Sequence, residues 1–433
     1  MKSNQKLKQL AIAVSLSLAS ASAFATNGYF PHGMGVKAKG MGGAAVAMTQ
    51  DAFAGANNPA AAAFVGNRWD LGVDFFMPDR SASRTMQGMG LMGSVKSSER
   101  TFPIPEFGYN VALSDKLGVG VTVYGNGGMN TTYRGSGFAC PNGQGGMFMG
   151  NALCGSGNLG VDLMQLTIAP TVAYKVNETT SIGASPLLVY QQFEAVGIDS
   201  FSQLTPSQST TRLTNQGFDS STGIGVRLGL LSKVSPTVSI GAAYAPKINM
   251  SKFNNYSELF AQGGDFDIPS NWTVGAAVDI SSSVKLALDY SAINYEDVKS
   301  VSNPSASASF LGTDSGPGFG WQNINALKLG LQWQLNDKTT LRVGYNKGDN
   351  PIRPADVTFN ILAPGVMEDH YTIGGTYKLS NNTEWSWFGM YAPKVSVTGS
   401  SFYNAMMGLP ENTIQETIEM KQYSFGLQYS KQF

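Results

Sequence analysis

The chain has 433 residues, and its 29 Lys+Arg are balanced by 29 Asp+Glu. Only 13% of residues are charged, against about 25% in an average soluble domain. Without a basic surplus to neutralise phosphates, a nucleic-acid binder is excluded, and 42% hydrophobic with 11% aromatic residues excludes a disordered chain. A helical membrane protein needs apolar runs of about 18 residues, and the only extended apolar stretch lies at the very start.

Residues 1–25 read as a secretory signal peptide. Lys2, Lys6 and Lys8 supply a positive start, Leu10 to Leu18 a short apolar core, and Ala23-Phe24-Ala25 a cleavage site. Removing those three lysines leaves 26 basic against 29 acidic residues, a net charge of −3. The expected compartment is therefore outside the cytoplasm. The two cysteines, Cys140 and Cys154, sit close together in a Gly-rich stretch and are expected to pair there. A bridge closing a loop of about 15 residues is worth roughly 3 kcal/mol in the chain-entropy model. The spacing has no neighbouring His, and no metal or cofactor is expected.

Residues 26–67 lack any period of two and are dominated by small residues. Gly40-x-Gly42-x-x-Ala45 superficially fits a dinucleotide fingerprint, but that fingerprint needs a preceding strand and a βαβ unit. Asn58-Pro59-Ala60 has a local reading, because Asn is a good N-cap and Pro suits the first helical position.

From Arg68 onward, apolar and polar residues alternate. Leu327, Leu329, Leu331 and Trp333 stand against Lys328, Gly330 and Gln332; Tyr423, Phe425, Leu427 and Tyr429 stand against Gln422, Ser424, Gly426 and Gln428. Successive strand side chains point to opposite faces, so each segment has one apolar and one polar or small face. The pattern predicts 14 strands, near 68–78, 106–114, 117–133, 161–176, 179–196, 221–234, 237–250, 270–281, 283–298, 321–335, 339–349, 368–380, 383–397 and 418–433. Connections alternate between short turns and long loops. A sandwich has no reason to lengthen every second loop, whereas a transmembrane barrel does. The predicted fold is all-β: a 14-stranded antiparallel transmembrane β-barrel over 68–433, with residues 26–67 as a plug in its lumen. Tyr244, Tyr290, Trp333, Tyr345 and Tyr377 lie on the apolar face and suit an interfacial girdle. Phe433 closes the last strand, as is common in outer-membrane barrels, although Lys431 occupies a position usually apolar.

These features together resemble the FadL family of outer-membrane long-chain fatty acid and hydrocarbon transporters. The resemblance is carried by Asp51-Ala52 followed by Asn57-Asn58-Pro59-Ala60, and by Gly33-Met34-Gly35 through Gly40-Met41-Gly42-Gly43-Ala44. It is also carried by the block Trp272–Tyr290 and by Asn325–Leu379 with Leu341-Arg342-Val343-Gly344-Tyr345 and Pro351-Ile352. It implies a barrel in the outer membrane of a Gram-negative bacterium, closed by an N-terminal hatch carrying Asn58, Pro59 and Ala60. Apolar molecules, most of all long-chain fatty acids, would be captured at external loops. Hatch movement would pass them to a lateral opening beside a kink in the third strand, without an energy source. Aromatic or aliphatic hydrocarbons are the alternative substrates. Implied partners are these hydrophobic molecules, outer-membrane lipid and lipopolysaccharide, and the barrel-assembly machinery, with the protein acting as a monomer.

Several residues support this reading on their own. Gly125, Gly127 and Gly128 interrupt the alternation of the third strand, as a bulge or bend does. Phe138, Met147, Phe148, Met149 and Leu153 put apolar groups on an outer loop, a feature of interaction surfaces. Arg227, Lys285, Lys328 and Arg342 are expected to point into the lumen, to brace the hatch or to meet a ligand carboxylate. An open porin would lack the small-residue plug. An adhesin or phage-receptor role of the outer loops is a further alternative. An outer-membrane hydrolase needs a nucleophile and base within hydrogen-bond reach. With only His32 and His370 available, no catalytic residues are expected.

Overall fold

The computed structural model of the protein describes residues 27–135, 137–142 and 146–433. The expected signal peptide lies outside the described residues. Fourteen antiparallel strands form a closed ring. They are β1 Arg68–Met86, β2 Phe102–Ala112, β3 Leu117–Tyr133, β4 Leu159–Lys175, β5 Thr180–Val196, β6 Asp219–Lys233 and β7 Val238–Ala245, then β8 Asn271–Asp279, β9 Val284–Ile293, β10 Ile324–Gln334, β11 Thr339–Gly348, β12 Asp369–Ser380, β13 Thr383–Ser400 and β14 Ile414–Gln432. Each strand pairs with its chain neighbours. β14 returns to β1 in unbroken register from Arg68↔Gln432 to Met86↔Ile414.

The wall is turned inside out relative to a soluble domain. In β14, Tyr423, Phe425 and Leu427 are exposed while Gln422, Ser424 and Gln428 are buried. The same inversion runs through β11, where Leu341 and Val343 are exposed and Arg342 and Asn346 are buried. A continuous exposed apolar band is costly in water and favourable in hydrocarbon. Tyr244, Tyr290, Trp333 and Tyr377 belong to that band; Tyr345 is half-buried and donates to Asp369.

Several strand ends differ from the sequence expectation. β1 runs on to Met86 and pairs there with an extra hairpin arm, Gly90–Lys96. β13 and β14 are also longer at the long-loop end. Beyond the lipid, neither face need be apolar, so the ladder continues without its period. β7 stops at Ala245, ahead of Pro246, which has no N–H for a ladder. β9 stops at Ile293, where the Tyr295–Asp297 turn brings Tyr295 into the interior. The loop after β3 carries its own hairpin, Phe138–Pro141 with Met147–Gly150.

Residues 27–67 pack against inward-facing groups of the wall. They form short helical pieces at Val36–Lys39, Ala54–Asn57 and Pro59–Ala63. Their backbone approaches the wall at inward-facing glycines. A Cβ at Gly241 would collide with the Val46 carbonyl, one at Gly183 with Pro59 and Ala60, and one at Gly344 with Met41 and Gly42. Polar wall groups then satisfy the freed backbone: Asp289 accepts from Ala45 N (2.7 Å) and Val46 N (2.9 Å), and Asp70 from Ala52 N (2.7 Å). Ser181 Oγ donates to Ala60 O (2.8 Å), and Asn110 Nδ2 to Ala62 O (3.0 Å).

This packing predicts the effect of Gly344→Val. The added side chain displaces residues 41–43 but leaves the ring's own ladder intact. Limited proteolysis should then cut within 27–67, while the barrel keeps its heat-modifiable gel mobility. Loss of that mobility would show that the glycine serves the wall instead.

Candidate functional site

The sheet ladder is interrupted beside β3. The β2–β3 ladder ends at Phe107↔Val123, although β2 begins at Phe102 and β3 runs on to Tyr133. On its other side β3 stays paired with β4, through a register shift between Gly125 and Gly127 that leaves Asn126 as the extra residue. From Thr122 to Thr131 every residue of β3 is buried, so both of its faces are covered. Gly127 and Gly128 face residue 29: Gly128 N donates to Tyr29 O (3.3 Å), and a Cβ at Gly127 would strike the Tyr29 ring. Gly125 lies below the bulge, opposite Leu166. Asn126 Nδ2 donates to Gln165 Oε1 (3.1 Å).

At its upper end the break is bounded by Ser98 N donating to Thr132 O (2.8 Å). Arg80 spans it, donating to the backbone carbonyls of Asn130 and Glu99 with its guanidinium over the Phe102 ring. A cleft of about 440 Å³ lies there, lined by Thr101, Phe102, Asn130, Asp162, Glu194 and Phe218 among others.

Two halves of the N-terminal segment are held differently. Lys39 Nζ pairs with Asp74 (3.0 Å) and Glu106 (3.1 Å), Lys37 with Glu384, and Arg68 with Asp70 and Glu384. Burial alone would lower the Lys39 pKa, but Asp74 and Glu106 offset this and hold it above the ordinary range. Asp51 is pushed up to about 6 by burial and by the Asp70 carboxylate. By contrast, Tyr29 and Phe30 sit among rings: Tyr295 at 5.2 Å, Trp321 at 6.0 Å and Phe266 at 6.1 Å from Tyr29. Tyr295 Oη donates to Asn27 O (2.6 Å).

Asn58 is fully buried and has two roles. Its Oδ1 accepts from Ala60 N (3.1 Å), with Pro59 and Ala60 opening the short helix. Its Nδ2 donates to Val46 O (2.7 Å) and to Leu230 O of β6 (2.9 Å).

The four wall cations separate. Lys285 pairs with Asp279 at the short-turn end (3.1 Å). Arg342 donates to Gln332 (3.0 Å) and Thr376 (2.7 Å). Arg227 and Lys328 line a cavity of about 80 Å³ between Phe30, Met34 and the wall. Arg227 donates to Asn271 (3.1 Å), and among the described residues Lys328 has no ion-pair partner. An apolar cavity that holds benzene measures about 150 Å³. In this conformation the space is too small for a monoaromatic ring or an acyl chain.

The loop candidates divide as well. Met147, Phe148 and Met149 are 40%, 43% and 62% exposed, but Phe138 and Leu153 are buried. The expectation that all five present apolar surface therefore fails at two. Cys140 and Cys154 are disulfide-bonded, and the hairpin folds over Arg84. Phe138 and Tyr403 flank the Arg84 guanidinium, which donates to Ala152 O (2.7 Å) and pairs with Glu416. Leu153 O accepts from Tyr403 Oη (2.7 Å). This buried cluster has no local sequence signal, since Arg84 and Glu416 are 332 residues apart. His32 and His370 stack with their planes within 13°.

A closed barrel with a lipid-facing exterior, a packed interior segment and a lateral break is an outer-membrane channel architecture. The chain belongs to the outer membrane protein transport protein family (OMPP1/FadL/TodX), whose model matches residues 12–433. The structure is similar to that of the Pseudomonas putida toluene transporter TodX, at 19% identity and a TM-score of 0.65 over 94% of this chain and 100% of the other. A Pseudomonas aeruginosa FadL homologue is 15% identical, with a TM-score of 0.66 over 96% and 100%. The Ralstonia pickettii toluene transporter TbuX is 18% identical, with a TM-score of 0.60 over 93% and 99%. No curated protein sequence matches the chain.

The loop cluster yields a stability prediction. Arg84→Ala leaves Glu416 buried without its cation, a loss of about 3–5 kcal/mol for a broken buried pair. Protease access to residues 134–160 should rise sharply, with the lower barrel unchanged. Wild-type resistance in that variant would show that the hairpin is held by the disulfide alone.

Proposed function

We propose that the protein is a passive channel that admits hydrophobic molecules and releases them sideways into the outer membrane. The observation that supports this best is the break between β2 and β3, where both strands run on without pairing while β3 is buried on both faces. Gly125, Gly127 and Gly128 supply the kink. Residues 27–67 act as the hatch: Asn58, Pro59 and Ala60 anchor one part to β6, and Tyr29 fills the space behind the break. Met147, Phe148 and Met149 offer the first apolar contact from outside. Their sulfur and aromatic groups adapt to varied apolar shapes. Diffusion down a concentration gradient drives the passage, and no reaction is catalysed.

Long-chain fatty acids are the substrate this interior favours. Arg227 and Lys328 line the same small cavity beneath the hatch's first residues together with Asp289, which accepts from Ala45 N and Val46 N, and a carboxylate arriving there would meet two cations against that one anion. A second reading, aromatic hydrocarbons, draws on two of the similar structures being toluene transporters. The ring cluster of Phe193, Phe253, Phe260 and Phe266 suits it too.

One double variant separates the two. A hydrogen bond to a charged group is worth about 1.5–3 kcal/mol, so Arg227→Met with Lys328→Met should reduce fatty acid uptake by roughly tenfold or more. Toluene uptake should stay unchanged. Equal uptake of fatty acid by the variant and wild type removes the carboxylate role and leaves the hydrocarbon reading. In parallel, Gly127→Phe should fold but transport neither compound; retained transport would contradict lateral release at the kink.

A further inference from the structure

We propose that His32 and His370 form an acid-sensitive latch between hatch and wall, an inference that rests on the hatch reading above. They are the two histidines of the chain. One stands on the N-terminal segment and the other on β12, yet their rings stack with centroids 5.8 Å apart and planes within 13°. Both are buried, at 2% and 0% exposure. His32 Nε2 lies 3.3 Å from Lys39 O, while the ring of His370 has no side-chain hydrogen-bond partner and at most the Asn346 backbone beside it. A stacked neutral pair packs well in such a place. A charged pair does not, because a buried cation without a counterion is expensive.

The charged groups around the pair offer no relief. From the hatch, Lys39 faces His32; from β10, Lys328 faces both rings; from β12 itself, Asp369 is adjacent. The Phe388 ring of β13 also lies by His32, at 6.3 Å, and carries no charge. Asp369 already accepts from Tyr345 Oη and from Lys347 Nζ (3.1 Å). Asp74 and Glu106 are committed to Lys39, and Asp289, beside Lys328, to the N–H groups of Ala45 and Val46. Burial, and then the neighbouring His370, hold His32 well below the ordinary imidazole range while the hatch is seated. A released His32 regains an ordinary value of about 6.5. Seating is therefore fully favoured above that value and weakens as pH falls through it. Each unit of difference between the two states shifts the seated-to-released ratio by up to about tenfold.

The test is ion conductance of the full chain in a planar lipid bilayer, between about pH 7.5 and about pH 5, the range in which histidine titrates. Wild-type open probability should rise by about tenfold on acidification, the shift that a one-unit difference allows. His32→Phe and His370→Phe keep a stacked ring without the titration and should stay closed at both values; His32→Gln and His370→Gln serve where a Phe variant fails to assemble. A barrel lacking residues 27–60 should conduct at both values. If that deletion conducts but wild type ignores pH, or if the Phe and Gln variants keep the wild-type response, the latch is wrong and the hatch stands. If the deletion conducts no more than wild type, the hatch reading fails and takes the latch with it.

Discussion

Every backbone N–H and C=O that meets hydrocarbon must find a partner within the protein. The strand order, the closure of β14 on β1 and the inverted faces of the wall all follow from that constraint. It also gives the interval between β2 and β3 its meaning. Above Phe107 and Val123 the ladder is abandoned although both strands continue, and groups from inside the ring take over. Tyr29 O accepts from Gly128 N, Gln165 of β4 meets the Asn126 side chain, and Thr131 Oγ1 donates to Leu362 O. Of these, Tyr29 belongs to the N-terminal segment, so on the proposed reading its displacement is what would clear the break.

The interior divides into a fixed and a releasable part. Ion pairs from Lys37 and Lys39 tie one side of the N-terminal segment to β1, β2 and β13. Breaking a buried pair by removing one partner costs about 3–5 kcal/mol, so this side is a poor candidate for motion. The other side, from Asn27 to Met34, is held by ring packing, a few hydrogen bonds and the stacked histidines. Apolar contacts of this kind are non-directional and can be exchanged for contacts with an apolar ligand. On the proposed reading, that exchange is the physical basis for a gate without an energy source.

Strand identity was legible in the sequence because lipid enforces a period of two, and turn lengths carried the topology. Strand ends were less so. Where β1 and β13 rise clear of the bilayer nothing forces alternation, and the ladder outruns the pattern. Gly241, Gly330 and Gly344 were visible as small residues on the polar face, but the reason, a second backbone pressed against each, needs the fold. The Gly interruption of β3 coincides with the register shift between Gly125 and Gly127, whereas the missing ladder on its β2 side has no sequence mark. Phe138 and Leu153 read as exposed because apolar loop residues look alike in a string; burial depends on Arg84, far away in β1. Likewise nothing local joins His32 to His370.

Lateral passage is tested most directly by bridging the break. Pro105 and Gly125 would face each other had the β2–β3 ladder continued by two more pairs beyond Phe107↔Val123. Among the described residues no cysteine is free, so a short bis-maleimide reacts only with an introduced Pro105→Cys and Gly125→Cys pair. Uptake of a labelled fatty acid or of toluene should stop when the pair is cross-linked and persist in each labelled single variant. Undiminished uptake through the cross-linked barrel would place the exit elsewhere and contradict lateral release.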